Sequence, residues 1–305
     1  MREDPWGKSP WNRFSRFIAP GADRFAVLCS LLDELRIGFS LASVSGRRHF
    51  FISPDRFRFQ SSPAGTAPGQ REIPAAVLVS HYDRAAGSPG ANDNSAAVFI
   101  LIETALRLGK TPPWLIILTD KEELSRGEGI RDQGSYTLAK ALRTAGLEKS
   151  RVFIFDACGT GDTLIISTTA DYLMKDREGP GVTKTRRMVQ ELRNQALEAA
   201  RDLHLERALL LPTPFSDDAG FLRAGFAAQT ITALPAREAG PFASLLRNKP
   251  DFARALVSRE ARETWNKRLI PETWRCLNGP ADSPLRLTPR YYKQLVRFAA
   301  ALCGG

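Results

Sequence analysis

Three short apolar runs constrain this chain more than anything else in it. Ala75-Ala76-Val77-Leu78-Val79-Ser80, Trp114-Leu115-Ile116-Ile117-Leu118-Thr119 and Arg151-Val152-Phe153-Ile154-Phe155 show no in–out alternation, so each reads as a strand covered on both faces. Between them, Ser95 to Leu108 and Gln133 to Ala145 have helical periodicity and stop at Gly109 and Gly146, glycine being the residue that most readily closes a helix. Strands alternating with helices predict an α/β fold in three αβα layers, a central sheet between two layers of helices. Thr163–Ser167 and Phe226–Leu234 predict further strands, Thr185 to about Leu205 a long amphipathic helix, and Thr288–Leu302 a closing helix with Pro289 in its first turn. Upstream, Asp23 to about Phe39 has helical spacing, His49–Phe59 suggests one or two strands, and Ser61–Gly69 reads as a loop.

At roughly 150 residues per domain the 305 residues admit two domains, but a single three-layer domain over residues 22–305 is the economical reading. Residues 1–21, rich in Pro, Gly, Trp and Arg, read as an irregular arm, and residues 236–276 as mostly helical. With 43% hydrophobic and 25% charged residues, disordered, collagenous and coiled-coil classes are excluded. A net charge of +10 would draw nucleic acid or an anionic membrane if it were concentrated. The basic residues are instead scattered from Arg2 to Arg297, so neither partner is expected.

Cys29, Cys158, Cys276 and Cys303 lie far apart, which fits free thiols in a reducing compartment. Arg2, Glu3 and Asp4 sit where a secretion signal has its apolar core, and the apolar stretch Phe25–Leu32 is too short and too interrupted to span a membrane. A cytoplasmic location is the expectation; a leader trimmed from the numbering would make it periplasmic or secreted. Oligomeric state is not encoded in any of these patterns.

The chemistry gathers just past the strands. After the first comes Ser80-His81-Tyr82-Asp83 and, beyond a Gly/Pro loop, Ala91-Asn92-Asp93-Asn94-Ser95; after the second Asp120-Lys121-Glu122-Glu123; after the third Asp156-Ala157-Cys158-Gly159. The carboxyl edge of a parallel sheet is where such folds bind ligands. An imidazole with several carboxylates there suits one or two divalent ions of the zinc type. Each piece has a plainer reading: a satisfied histidine, a charged helix start at Glu122-Glu123, a helix cap at Asp93. Their occurrence in order at successive strand ends is what carries the inference.

His81-Tyr82-Asp83, Gly90-Ala91-Asn92-Asp93-Asn94-Ser95, Glu122-Glu123, Gly134-Ser135, Phe155-Asp156 and Ser216-Asp217-Asp218-Ala219-Gly220-Phe221, with Pro280-Ala281-Asp282-Ser283 near the end, resemble the motifs of the zinc-dependent M28 aminopeptidase family over roughly residues 70–302. That family also holds glutaminyl cyclase relatives. The resemblance implies a zinc-exopeptidase-like fold with a mixed, mostly parallel sheet, and a centre of two zinc ions. It assigns His81 and Asp156 to one zinc, Asp93 as a bridge to the other, Glu123 to the second zinc and Glu122 as general base. Asp83 would stand behind His81 and fix its tautomer, and the Asp93–Asn94 peptide would be cis.

Two positions depart from the family. Asn278 stands where a histidine completes the second zinc site, and an amide oxygen is a poor zinc ligand beside imidazole. Asp218 also takes a histidine position. Three outcomes stay open: one zinc at His81, Asp93 and Asp156; two zincs with a recruited ligand such as Cys276 or Asp218; or a non-catalytic descendant that only binds. The favoured expectation is an aminopeptidase-like hydrolase acting on peptide or aminoacyl substrates at a free N-terminus. A glutaminyl cyclase-like acyltransferase is a weaker alternative, because cyclase relatives keep the histidine lost here.

Trp265, Trp274 and Phe242, in the helical insertion at 236–276, read either as a lid over the site or as helix-packing core. Arg84, beside the ligand loop, suits a substrate carboxylate or a surface ion pair. Gly87-Ser88-Pro89-Gly90 is not a phosphate loop, and Ser80 lacks a nucleophile elbow.

Overall fold

The computed structural model describes residues 10–54, 74–109, 113–257 and 267–304. Within them, eight strands form one sheet: β1 (Phe39–Val44), β2 (Arg47–Ile52), β3 (Ala76–His81), β4 (Trp114–Thr119), β5 (Arg151–Phe155), β6 (Thr163–Ser167), β7 (Ala208–Leu211) and β8 (Gln229–Leu234). Their order is β1-β2-β4-β3-β5-β8-β6-β7. β3 runs parallel to β4 and β5, β5 to β8, and β6 to β7, while β1/β2, β2/β4 and β6/β8 are antiparallel. The sheet is mixed and mostly parallel.

The unbroken apolar runs work as expected of doubly covered strands. Leu78, Ile116 and Phe153 face a core shared with Leu28, Phe99, Leu192 and Phe298. Their neighbours Val77, Leu115 and Val152 enter a second core with Leu138, Leu142 and Phe221. Successive residues of one strand thus bury on opposite faces, and helices Arg24–Glu34, Ala96–Leu108, Pro180–Asp202 and Pro289–Leu302 on one side oppose Gly134–Thr144 and Asp217–Arg223 on the other.

Some elements differ from the sequence reading. β1 and β2 form a hairpin that turns through Ser45 and Gly46, both left-handed (φ 51° and 76°), the twist that suits a two-residue hairpin. The helix before it therefore stops at Glu34 rather than near Phe39. β7 is an additional edge strand paired only to β6. Residues Pro10–Ile18, expected to be irregular, are helical. Trp11, Phe14 and Phe17 recur every third position and pack on Phe99 at ring separations of 5.3, 5.2 and 5.6 Å. Burying Phe14 and Phe17 contributes on the order of 2 kcal/mol each, enough to order a segment whose Pro and Gly content suggests none.

Candidate metal centre

The register of β3 and β4 pairs His81 with Thr119, and β5 ends one residue before Asp156. Three strand ends therefore deliver their side chains to one edge. His81 is fully buried; its Nε2 lies 3.1 Å from Asp93 Oδ1 and 3.9 Å from Asp156 Oδ1, and its Nδ1 lies 3.4 Å from Asp83 Oδ1. One ligand atom each from His81, Asp93 and Asp156 fall within 4.8 Å of one another.

Asp93 sits in the turn Ala91–Ser95, where the Asp93–Asn94 peptide is cis, as the resemblance implies. The turn is fastened from three sides. The Asp282 carboxylate accepts the Asn92 and Asp93 N–H groups at 2.8 and 3.0 Å. Asn94 donates to Ser80 Oγ and the Phe155 carbonyl and accepts from the Ala157 N–H. The Asn92 side-chain Oδ1 accepts the Gly159 N–H at 2.7 Å.

The cluster fits a divalent cation. His81 Nε2 and Asp156 Oδ1 are buried without a hydrogen-bond partner, an expensive condition unless something else satisfies them. One imidazole and two carboxylates form a zinc-type donor set. Burial alone would lower the His81 pKa, but Asp156, Asp83 and Asp93 outweigh it and hold it well above the ordinary imidazole value. The proton so held takes the place of a positive charge that a metal ion would supply.

Asp83 stands behind His81 and also receives the Glu122 and Glu123 backbone N–H groups at 3.1 and 3.0 Å. Against burial, these contacts keep its carboxyl below the usual range. Glu122 and Glu123 lie on a loop, not at a helix start. Burial raises the Glu122 pKa well above normal, with His81 opposing, and Gln133 Nε2 donates to its carboxylate at 3.1 Å. Burial and the nearby Asp93 push Glu123 up to about 8.

Asn278 meets Glu123 and Asp93, the two carboxylates that the resemblance assigns to the second zinc. With its nitrogen toward them the amide donates to Glu123 Oε1 at 2.6 Å and to Asp93 Oδ2 at 3.0 Å, whereas its oxygen there would face only acceptors. The recruited ligands considered from sequence are elsewhere. Asp218 accepts the Ser216 N–H, and neither it nor Cys276 joins the converging group among the described residues. All four cysteines are free.

A cavity of about 610 Å³ opens on the cluster, and Asp93, Glu122, Glu123 and Asp156 line it. Phe215, Ile270, Trp274 and Leu277 give it an apolar wall, and Lys267 and Arg275 also reach it. Trp274 serves both cavity and core, since Phe242 packs edge-on against it at 5.4 Å; Phe242 itself is core. Trp265 lies outside the described residues. Among the described residues Arg84 meets no carboxylate: it donates to the Ile18, Ala19 and Pro89 carbonyls. Gln133 and Arg24, which also hold the site, were missed because neither glutamine nor one arginine among 43 basic residues carries a sequence signal.

Fold and cluster together define an α/β protein with a buried His/Asp group able to hold a metal ion at the edge of its sheet. The family model for Peptidase family M28 matches residues 64–262, and the chain belongs to that family. No curated protein sequence matches it. Among solved structures, a zinc aminopeptidase from Bacillus subtilis is similar at 20% identity and TM-score 0.51, covering 84% of this chain and 48% of its own, so the chain spans about half that protein's length. Porphyromonas gingivalis glutaminyl cyclase is similar over 99% of both chains at 14% identity and TM-score 0.60. A Zn-dependent exopeptidase from Parabacteroides distasonis is similar at 13% identity and TM-score 0.58, covering 97% and 96%. No helix among the described residues is long and apolar enough to cross a membrane.

Proposed function

We propose that this chain is a metal-dependent aminopeptidase that works with a single zinc ion. The observation that carries the reading is the buried trio His81, Asp93 and Asp156, three of whose buried atoms have no hydrogen-bond partner. Those three side chains would hold the ion, which supplies Lewis-acid activation of water and of a carbonyl. Glu122 would serve as general base, a role its burial at the cavity and raised pKa support: it would take a proton from the attacking water and return it to the leaving amine. Asp93, Glu123 and Asp156 present negative charge to the substrate ammonium, and Asn278 holds Glu123 and Asp93 in place of a second ion. Phe215, Ile270 and Trp274 offer apolar contact to the first side chain, and Lys267 and Arg275 suit the free carboxylate of a short peptide.

Hydrolysis of aminoacyl reporters and dipeptides tests this. Activity is expected to vanish on chelation and return with zinc. Metal uptake with no turnover on any reporter would favour a binding protein, and release of ammonia from N-terminal glutamine without peptide cleavage would favour cyclase chemistry.

A further inference from the structure

Arg24, the first residue of the Arg24–Glu34 helix, is 5% exposed and among the described residues has no carboxylate in hydrogen-bond contact. Its two terminal nitrogens divide the work. Nη1 donates to the Tyr82 and Asp83 carbonyls at 3.1 and 3.0 Å, directly after His81. Nη2 donates to the Pro89 and Gly90 carbonyls at 2.9 and 3.2 Å and to Ser95 Oγ at 2.8 Å, on either side of Asp93. The Phe17 ring supports the guanidinium from 4.6 Å, and the Asp23 side chain caps the helix that carries it. Gly90 makes room for it. A Cβ there would come within 2.8 Å of Nη2, and Gly90 is left-handed at φ 61°.

A buried ionic group is weak evidence for stability, because apolar packing in the same volume often serves as well. What a guanidinium adds is a rigid plane with donors on two sides, and here one side holds the residues just after His81, which ends β3, while the other holds residues flanking Asp93. We propose that Arg24 is a positioning residue of the metal centre, setting the separation of those two side chains. The proposal rests on the reading of His81 and Asp93 as metal ligands.

Zinc affinity of the purified full-length chain, measured by competition with a chromophoric chelator, tests it. Arg24→Met and Arg24→Lys are both expected to weaken binding by about 10–100-fold, the usual loss when a group supporting the ligands is removed. Lysine keeps the charge but cannot donate from two sides, and its variant decides the matter alone if the methionine one does not fold. Leu28→Ala, at a fully buried position on the same helix, is expected to lower thermal stability and leave zinc affinity unchanged. Wild-type affinity in Arg24→Lys, or equal weakening in Leu28→Ala, overturns the proposal. A wild-type chain that takes up no zinc overturns the ligand reading and this proposal with it.

Discussion

The Asn278 side-chain nitrogen lies 2.6 Å from Glu123 Oε1 and 3.0 Å from Asp93 Oδ2. A neutral amide with two N–H donors thus links the two carboxylates that the family resemblance assigns to a second zinc. Asn278 adopts a left-handed backbone (φ 61°), which asparagine tolerates better than most residues. The chain saturated with zinc and desalted is expected to retain one ion, and Asn278→His to retain two, by elemental analysis. Two ions in the unaltered chain would mean that the amide yields its place.

Glu122→Gln keeps a polar group beside Gln133 but removes the proton acceptor. Turnover on aminoacyl reporters is expected to fall by about 10²–10⁴-fold, with zinc content unchanged. A variant that keeps most of its activity would assign the base elsewhere.

Without metal, stability should depend on pH in a definite sense. Burial pushes Asp217 and Asp218 up to about 6, above the roughly 3.9 of an unfolded aspartate. The folded chain therefore gains protons where the unfolded chain does not. This stabilisation is full below the unfolded value and is lost as pH rises through about 6. His81, held high by its carboxylates, and Glu123, at about 8, act in the same direction. The melting temperature of the apoprotein is expected to rise from pH 8 to pH 5.5, and less so in Asp218→Asn. A melting temperature that falls over this interval contradicts the burial argument.

Lys267 and Arg275 reach the same cavity as the carboxylates. Arg275→Glu is expected to raise KM for dipeptides on the order of fivefold, the worth of an exposed ion pair, and to leave KM for C-terminally amidated substrates unchanged. Equal effects on both would remove the substrate carboxylate from the account.

The doubly covered strands could be read almost to the residue, because a continuous apolar run such as Trp114–Thr119 has few other folded uses. His81, Asp93 and Asp156 were readable too, since each follows such a run or the loop beyond it. The β1–β2 hairpin was not: Phe39–Val44 is half exposed on the sheet's edge, so no strong apolar pattern marks it, and the Ser45-Gly46 turn is a common dipeptide. The helical start at Trp11 and Phe14 was hidden by prolines, because the partner that orders it, Phe99, is far along the chain. Arg24 and Arg84 show the same limit. Their partners are backbone carbonyls, which every residue has, so only the fold reveals which carbonyls they meet.

Asp282 latches the ligand turn through Asn92 and Asp93, 190 and 189 residues earlier. During synthesis that turn thus has no complete frame until Asp282 has left the ribosome. Nascent fragments ending before Asp282 are expected to emerge with the turn around Asp93 unlatched.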